Sequence, residues 1–197
     1  MCNNFTKRAL DICISFVVLF LFSWLIIAAW IVAAVETKGN GFFIQKRIGR
    51  YGKPFNVIKI KTMHPDRTGL RSTISTNKMS GITCSGYWMR RYKIDELPQL
   101  INVLIGQMSL VGPRPDVPGY ADSLQGQDRL ILELRPGITG PASIKYKNEE
   151  EILAASTNAK EYNDNVIWPD KVKINLHYYY NKSLFLDIYY IFKTIKG

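Results

Sequence analysis

Residues 12–35 read ICISFVVLFLFSWLIIAAWIVAAV, an uncharged run in which Ser15 and Ser23 are the only polar side chains. A helix of this length extends about 36 Å, and the hydrocarbon core of a bilayer is about 30 Å thick. Outside this run the chain has the apolar content of a soluble domain. We therefore predict an N-terminal membrane helix over residues 1–36 and a cytoplasmic domain over residues 37–197.

Three arrangements of this run are open from the sequence: a cleaved signal peptide, a spanning anchor, and a helix that enters the membrane, bends and leaves on the same side. The run is longer than the roughly 7–15 apolar residues of a signal peptide. Lys7 and Arg8 precede it and five cations between Lys38 and Lys53 follow it. Because basic flanks favour the cytoplasm, re-entry satisfies both ends, and we expect a cytoplasmic N-terminus.

The composition restricts the class of protein. The chain has 197 residues, 26 Lys and Arg against 16 Asp and Glu, and a formal charge of +10. Its apolar content of 47% excludes a disordered chain. The three cysteines and two histidines lack the spacing of a metal site, so we predict no zinc site and no disulfide framework.

The patterns beyond residue 36 predict a mainly α fold with a minor β component. FNVIKIKT, residues 55–62, is typical of a short strand that places Lys59 and Lys61 on one face. Apolar residues between Leu97 and Ile105 predict a helix that Gly106 ends. Residues 64–86 are expected to form a long loop. Further helices are predicted over residues 120–134, 148–160, 170–180 and 184–195.

The last of these helices is amphipathic. Its apolar face carries Phe185, Ile188, Tyr189, Phe192 and Ile195. Aromatic and lysine side chains on such a helix are typical of an interfacial position at a membrane. Packing against the core of the domain would use the same pattern, and the sequence leaves both open.

The stretch RRYKIDELP, residues 90–98, carries the strongest chemical signal. Pro98 is tolerated in the first turn of a helix, which puts Asp95 and Glu96 at the helix N-terminus. The helix dipole favours ionised carboxylates there and also attracts phosphate. A carboxylate kept ionised among cations is a candidate nucleophile toward a phosphoryl group. The alternative is a plain helix cap.

Basic residues on other segments fit a phosphate substrate. Lys59 projects from the predicted strand, and Arg114 lies between Pro113 and Pro115, which restrict its backbone. A restrained arginine loses little entropy on gripping a diphosphate. A solvated strand face and a structural turn are the alternatives for these two residues.

Several enzyme classes are excluded by what the sequence lacks. It has no phosphate-binding loop of the G-x-x-x-x-G-K-[ST] type, no G-x-G-x-x-G, no G-x-S-x-G and no D-x-D. The basic residues gather beside the membrane run, and no nucleic-acid recognition motif is present. We predict that the charge serves membrane apposition and phosphate substrates, with no nucleic acid as partner.

With these residues in view, the chain resembles the bacterial sugar transferase family, the small monotopic phosphoglycosyl transferases. The likeness is densest at residues 95–104, DELPQLINVL, and continues to GPRP at 112–115. It extends over nearly the whole chain, through these further segments: KRALD at 7–11, GFFIQKRIG at 41–49, KIKTM at 59–63, RPGITG at 135–140 and LDI at 186–188.

The resemblance implies a reaction and roles for residues. Such enzymes move a sugar-1-phosphate from a UDP-sugar to undecaprenyl phosphate at the bacterial inner membrane, on its cytoplasmic face, and release UMP. It implies that Asp95 attacks the β-phosphate and forms a covalent phosphosugar intermediate, that Glu96 assists, and that Mg²⁺ binds near Asp95. It further implies that the substrate is bound by Lys59, Arg90, Pro113, Arg114 and Pro115.

Two positions depart from the family pattern. Where relatives commonly carry Ser-Pro in the membrane helix, this chain has Ser23-Trp24, so any bend has to use another device, such as bonding of the Ser23 hydroxyl to the main chain. The stretch PASIKY, residues 141–146, also differs, and it leaves the sugar open. A non-catalytic membrane scaffold of a glycan assembly complex is the alternative function.

Overall fold

The computed structural model describes residues 4–64 and 81–196, so most of the loop expected over residues 64–86 lies outside the described part. As predicted, the fold is mainly helical with a small β component. The helices are α1 (Asn4–Thr37), α2 (Cys84–Arg91), α3 (Gln99–Leu104), α4 (Pro141–Lys145), α5 (Glu149–Ala155), α6 (Ala159–Tyr162), α7 (Trp168–Asn181) and α8 (Leu184–Lys196). The strands are β1 (Phe42–Ile48), β2 (Pro54–Ile60), β3 (Ser109–Val111) and β4 (Gly137–Thr139).

Helix α1 is long and apolar enough to cross a membrane. One stripe of α1 is buried against the rest of the chain, and its members recur at helical spacing: Asp11, Ser15, Ile26, Ala29, Ala33 and Thr37. The remaining faces expose large apolar side chains such as Phe16, Phe20, Trp24 and Ile31. Helix α1 therefore has one protein-facing stripe and a wide apolar surface with no protein cover in the described chain.

The N-terminal end of α1 is fastened to the domain by its charged residues. Lys7 Nζ lies 2.6 Å from Asp187 of α8. Arg8 donates to the carbonyl oxygens of Val103 and Leu104, at 2.7 and 2.9 Å, near the end of α3. These cations, expected as membrane flanks, thus also form internal contacts.

The C-terminal end of α1 contacts the same domain. The Glu36 carboxylate accepts hydrogen bonds from the hydroxyl and the main-chain N–H of Ser85 in α2. Gly41 lies so close to α1 that a Cβ there would come within 2.2 Å of the Trp30 carbonyl oxygen. Both ends of one apolar helix are therefore held by one domain.

Strands β1 and β2 form an antiparallel hairpin in which Phe42 pairs with Ile60 and Ile48 with Pro54. The sequence analysis predicted β2 but not β1. The β1 residues alternate imperfectly, with Phe43 and Ile44 both exposed, so their pattern lacks the signal of a half-buried strand. Pairing with β2 rather than local pattern makes this segment a strand.

Strands β3 and β4 form a parallel pair that brings the chain after each strand together. Gly112 follows β3, and a Cβ there would come within 2.3 Å of the Arg135 carbonyl oxygen. At Gly140, a Cβ would come within 2.2 Å of the Gly112 carbonyl oxygen. Only glycine permits these approaches, and the crossing holds the turn that carries Arg114.

Two predicted helices are wrong in their details. The segment 120–134 contains two 3₁₀ stretches, Ala121–Ser123 and Gly126–Glu133, instead of one α-helix. Leu124 and Gln125 between them are extended, and Gly126 has a positive φ of 57°. The segment 148–160 is split into α5 and α6 because Asn158 leaves the helical conformation and its side chain accepts from the Glu161 N–H to start α6.

Candidate active site

The turn that carries the two acidic residues lies between α2 and α3. Lys93 takes a left-handed conformation with φ 58°, and a 3₁₀ turn, Ile94–Glu96, follows before Pro98 caps α3. Ile94 and Leu97 flank the acidic pair and pack against Ile26, Ala29, Ala33, Ile60 and Met89. Asp95 and Glu96 are 8% and 9% exposed, so α1 directly supports a turn with two buried carboxylates.

Glu96 is held by two cations from distant segments. Its Oε1 accepts from Lys59 Nζ at 2.7 Å and from an Arg114 guanidinium nitrogen at 2.6 Å. Burial raises the pKa of Glu96, but the charges and hydrogen bonds of Arg114 and Lys59 outweigh it, and the pKa lies well below its usual value. Glu96 is therefore ionised and fixed in position.

Asp95 has a different environment. Its Oδ1 is buried and has no hydrogen-bond partner within residues 4–64 and 81–196. Burial raises the pKa of Asp95, as does the neighbouring Glu96 charge, while Lys59, Arg90 and Lys93 oppose the rise. Neither acid caps a helix, because the residues at the caps of the 3₁₀ turn and of α3 are Lys93 and Pro98. The plain helix cap considered from the sequence is therefore not what is found.

A buried amide joins the hairpin to α3. The Asn102 side chain donates to the Asn56 carbonyl oxygen at 2.8 Å and accepts from the Ile58 N–H at 3.2 Å. It also donates to Gln107 at 2.8 Å and is 1% exposed. These bonds fix the strand that carries Lys59 to the helix that follows Glu96. The only signal of this role in the sequence is a polar residue inside an apolar helix.

The other predicted substrate-binding residues are placed around this core. Arg90 is bonded to Glu150 of α5 at 3.1 Å and acts on Asp95 through its charge. The Pro113 carbonyl oxygen accepts from the Gly137 N–H at 2.7 Å, and that of Pro115 accepts from Arg47 at 3.3 Å. The two prolines thus position Arg114 through main-chain contacts, while Arg90 lies at the edge, held by an acid.

A further carboxylate, Asp116, lines the same cavity as Arg114 and carries no motif that marks it in the sequence. Burial raises the pKa of Asp116 to about 6, although the charges of Lys171, Arg47 and Arg114 oppose the rise. Burial and the charge of Arg114 also lower the pKa of Arg47. Arg114 therefore contacts Glu96 and also interacts electrostatically with Asp116 and Arg47.

The segment after Gly140 is bonded to α7. Lys171 of α7 is 2.7 Å from Glu149, the first residue of α5. Asp170 is 2.6 Å from both Lys145 Nζ and the Tyr146 hydroxyl. Glu149 also raises the pKa of Arg114, after the larger effect of Glu96. Residues 141–146, from which the sequence does not identify the sugar, thus lie near the cations of the candidate site.

Taken together, the site offers one unbonded carboxylate oxygen beside a fixed, neutralised carboxylate and several cations. Such an arrangement is suited to bind a diphosphate and to attack phosphorus. No group of three metal-binding side chains is found in the part of the chain that is described. A hard cation that takes most ligands from phosphate and water needs fewer protein ligands than that.

The chain is similar to known bacterial proteins over nearly its whole length. The model of the family described as bacterial sugar transferase matches residues 2–197. The UDP-N-acetylgalactosamine-undecaprenyl-phosphate N-acetylgalactosaminephosphotransferase of Aeromonas hydrophila is 31% identical over 195 residues, which cover 98% of this chain and 43% of the relative. The undecaprenyl-phosphate glucose phosphotransferase of Komagataeibacter xylinus is 34% identical over 197 residues, which cover 96% of this chain and 35% of the relative.

A third relative is closer in length. The exopolysaccharide production protein ExoY of Rhizobium meliloti is 30% identical over 208 residues, which cover 98% of this chain and 85% of that protein. The chain thus spans less than half of the first two relatives and most of the third.

Proposed function

Since this chain belongs to the bacterial sugar transferase family, we propose that it transfers a sugar-1-phosphate from a UDP-sugar to undecaprenyl phosphate and so begins the assembly of a capsule, O-antigen or glycoprotein glycan. The observation that carries the proposal is the pair of carboxylates at the turn before α3. Asp95 Oδ1 is buried and unbonded within the described chain, beside a Glu96 neutralised by Lys59 and Arg114. A diphosphate drawn in by the cations would lie beside the Asp95 carboxylate.

In the first half-reaction the Asp95 carboxylate attacks the β-phosphorus of the UDP-sugar. A bond forms between the carboxylate oxygen and that phosphorus, and the bond from phosphorus to the oxygen that bridges the two phosphates breaks. UMP leaves with the bonding electrons, and the sugar-phosphate remains on Asp95 as an acyl phosphate. The raised pKa of Asp95 means that its surroundings stabilise the ionised carboxylate only weakly, which suits a nucleophile.

In the second half-reaction an oxygen of undecaprenyl phosphate attacks the same phosphorus. The bond from phosphorus to Asp95 breaks, so the carboxylate is restored and undecaprenyl-diphosphate-sugar is released. No net proton transfer is required when both phosphates act as anions. This favours a positioning role for Glu96, whose lowered pKa keeps it ionised throughout.

The cations would offset the charge that gathers on the reacting phosphates. Lys59 and Arg114 both contact Glu96, and their side chains are 22% and 45% exposed, so neither cation is fully enclosed by protein. Arg90 adds a further charge near Asp95. Donors fixed where charge develops stabilise a transition state without reorganisation.

A magnesium ion fits the donor set at Asp95. Mg²⁺ is commonly held by one or two carboxylates together with substrate phosphates and water. Asp95, with its unbonded oxygen, would hold it, and the ion would neutralise charge on the diphosphate.

The same contacts support a membrane topology. The apolar run of α1 is bounded by Asp11 and Glu36. Asp11 accepts from the Ser109 hydroxyl at 2.8 Å, and Glu36 accepts from Ser85. A helix held at both ends by one domain has both ends on one side of the bilayer, so we propose re-entry with the domain on the cytoplasmic face of the inner membrane. The Ser23 hydroxyl donates to the Phe20 carbonyl oxygen at 3.0 Å. Such a bond to the main chain can bend a helix that has no proline.

The test uses the purified chain in lipid nanodiscs with undecaprenyl phosphate and a panel of UDP-sugars that includes UDP-glucose and UDP-N-acetylgalactosamine. We expect UMP release with at least one donor and none from Asp95→Asn. With donor alone, intact-protein mass spectrometry should show an added sugar-phosphate on the wild-type chain but not on Asp95→Asn. The exposed Asp128→Asn should behave as wild type.

The alternative, a non-catalytic scaffold of a glycan assembly complex, gives a different result. It predicts no UMP with any donor, no adduct, and co-purification with partner transferases. Full turnover by Asp95→Asn would remove this residue from the proposed mechanism even if UMP is released.

A further inference from the structure

An exposed aromatic face lies immediately before the proposed active-site turn. On α2, Tyr87 and Trp88 are 50% and 52% exposed, and Tyr92, just after the helix, is 63% exposed. Trp88 and Tyr92 stack with centroids 6.1 Å apart and planes 11° apart, and Arg91 lies over Trp88 at 5.5 Å. These four residues, called the α2 face below, form a continuous aromatic and basic surface.

The α2 face points away from the protein core. Gly86 and Met89 form the buried side of α2, and Met89 packs against Ile26, Ala29 and Ala33 of α1. Since successive helical residues are turned by about 100°, Tyr87, Trp88 and Arg91 lie on the opposite side. The ring contacts of Trp88 are with Tyr87 and Tyr92, which belong to the same face, so burial in the domain does not account for them.

A contact with α1 fixes the depth of α2. Glu36 is the first charged residue after the 24-residue uncharged run, so it marks the level at which α1 leaves the hydrocarbon. Its carboxylate is bonded to Ser85, in the first turn of α2. Helix α2 therefore starts at the level where the membrane run ends, which is the level of the lipid headgroups.

We propose that the α2 face lies in the headgroup region of the bilayer and contacts lipid there. Tryptophan and tyrosine are favoured at this level because their rings are apolar at one end and polar at the other. Arg91 supplies the charge that anionic headgroups attract. The polyprenyl phosphate group occupies the same level, so this contact would hold Asp95, three residues beyond Tyr92, at the depth of its acceptor. The proposal requires α1 in the bilayer, and the transfer reaction is not needed for its test.

The four tryptophans of the chain provide the test and its controls. Three single-tryptophan variants, each with phenylalanine at the other three positions, retain Trp24 of α1, Trp88 of α2 or Trp168 of α7. Each is reconstituted into vesicles of equal parts phosphatidylethanolamine and phosphatidylglycerol that carry a nitroxide either near the headgroup or near the end of the acyl chain. Fluorescence quenching by each lipid and by aqueous iodide is then measured.

We expect quenching of Trp88 by the shallow label to exceed that by the deep label by at least about twofold, with weak quenching by iodide. Trp24 should be quenched by lipid labels and serves as the membrane control. Trp168, which packs edge-on against Tyr120 with centroids 5.4 Å apart, should not respond to either label. Iodide quenching of Trp88 without lipid quenching would overturn the proposal, as would a Trp24 that no lipid label quenches.

A second measurement keeps the test valid if a tryptophan replacement prevents folding. A nitroxide attached at Arg91→Cys, in a chain whose own cysteines are replaced by serine, reports collisions with lipid-soluble oxygen and with a water-soluble nickel complex. We expect oxygen collisions to dominate at this position. Dominance of the nickel complex would place the α2 face in water and contradict the proposal. This result is independent of UMP release, so the α2 contact and the proposed reaction fail separately.

Discussion

Lys59 on β2 lies 2.7 Å from Glu96 in the turn before α3, and Arg114 reaches the same carboxylate oxygen at 2.6 Å. Three segments that are distant in the sequence therefore meet at one atom. The charge of Glu96 is offset locally, and the turn is fixed from outside rather than by the end of α3 alone. Asp95, the next residue, takes its electrostatic environment from the same contacts.

Loss of the lysine should shift the pH dependence of the reaction. Lys59 lowers the pKa of Asp95, against the larger effect of burial, so Lys59→Met should raise that pKa further. In the proposed mechanism the ionised carboxylate of Asp95 is the reactive form, and it is lost as pH falls through its pKa. The acid limb of kcat/KM for UMP release should therefore move to higher pH, and kcat/KM at neutral pH should fall about tenfold or more.

Lys61→Met is the matched control, because Lys61 follows the last residue of β2 and its Nζ lies beside Gly39, just after α1. It should leave the acid limb where it is in wild type. Equal shifts in the two variants, or no shift in Lys59→Met, would contradict the assigned role of Lys59.

Asn102 should affect turnover through the position of Lys59. Asn102→Leu leaves the Asn56 carbonyl oxygen and the Ile58 N–H without their buried partner, at a cost of about 1–3 kcal/mol in stability. We expect kcat to fall roughly tenfold, and the acid limb of the pH profile to move in the same direction as in Lys59→Met. Steady-state UMP release at a temperature where the variant is folded measures both.

A core substitution away from the site separates the effect of the position of Lys59 from the effect of lost stability of the chain. Val172→Ala removes buried volume in the cluster around Ile48 and Leu132 and should cost stability of the same order. Its pH profile should match wild type. If Val172→Ala moves the acid limb as far as Asn102→Leu, then Asn102 has only a structural role.

The parts of the fold that follow local patterns were predictable from the sequence. The apolar run gave α1, the alternation at 55–62 gave β2, and the apolar spacing before Gly106 gave α3. Strands β1, β3 and β4 were not predicted. Strand β1 lacks a clear alternation and becomes a strand by pairing with β2, whereas β3 and β4 depend on pairing with each other across the chain and on close glycine contacts. At the site, the sequence suggested Asp95, Glu96, Lys59 and Arg114 as a group, but the bond partners could not be read from it.

Asn102, Asp116 and Glu150 show why the rest was missed. Asn102 acts through main-chain atoms of another segment, and Asp116 acquires its environment only when Arg47 and Lys171 converge on it. In the sequence Glu150 belongs to the acidic start of a predicted helix, and in the structure its carboxylate accepts a hydrogen bond from Arg90 at 3.1 Å. Each role depends on tertiary contacts that have no local pattern.

The membrane topology can be tested by chemical labelling. In a chain whose own cysteines are replaced by serine, Asn4→Cys and Lys38→Cys lie at the two ends of α1. Because both ends are held by one domain, an impermeant maleimide should label neither site in intact spheroplasts and both sites in inside-out vesicles. Labelling is detected as a mass shift of the purified chain.

Lysis of the spheroplasts serves as the control, since both cysteines should then react. Labelling of Asn4→Cys from outside, with Lys38→Cys protected, would show a straight crossing. That outcome would refute re-entry and would require the contacts of Lys7 and Arg8 to be absent in the membrane.

The ion pair between Lys7 and Asp187 should contribute to the stability of the chain in detergent. Asp187 is 1% exposed and also accepts from the Tyr178 hydroxyl, so Lys7→Met leaves a buried charge without its cation. We expect a loss of roughly 2–4 kcal/mol, or about 5–10 °C in apparent Tm. Lys7→Met with Asp187→Asn should recover part of that loss, and additive effects in this double-mutant cycle would contradict the pairing.

Asp116 should make the stability of the chain depend on pH in the opposite sense to a salt-bridged acid. Burial raises its pKa from 3.8 to about 6, so the folded chain binds this proton more tightly than the unfolded chain does. Its contribution to stability therefore falls as pH rises from about 4 to about 6 and stays low above that range.

Asp116→Asn lacks this titration, so at pH 8 the variant should be more stable than wild type, by about 1–2 kcal/mol after allowance for partial exposure, or roughly 2–6 °C in apparent Tm. The difference should shrink as pH falls through about 6 and vanish near about 4, as followed by thermal unfolding across this pH range. The exposed Asp128→Asn should track wild type at every pH, and an Asp116→Asn curve parallel to wild type would show that this carboxyl titrates normally.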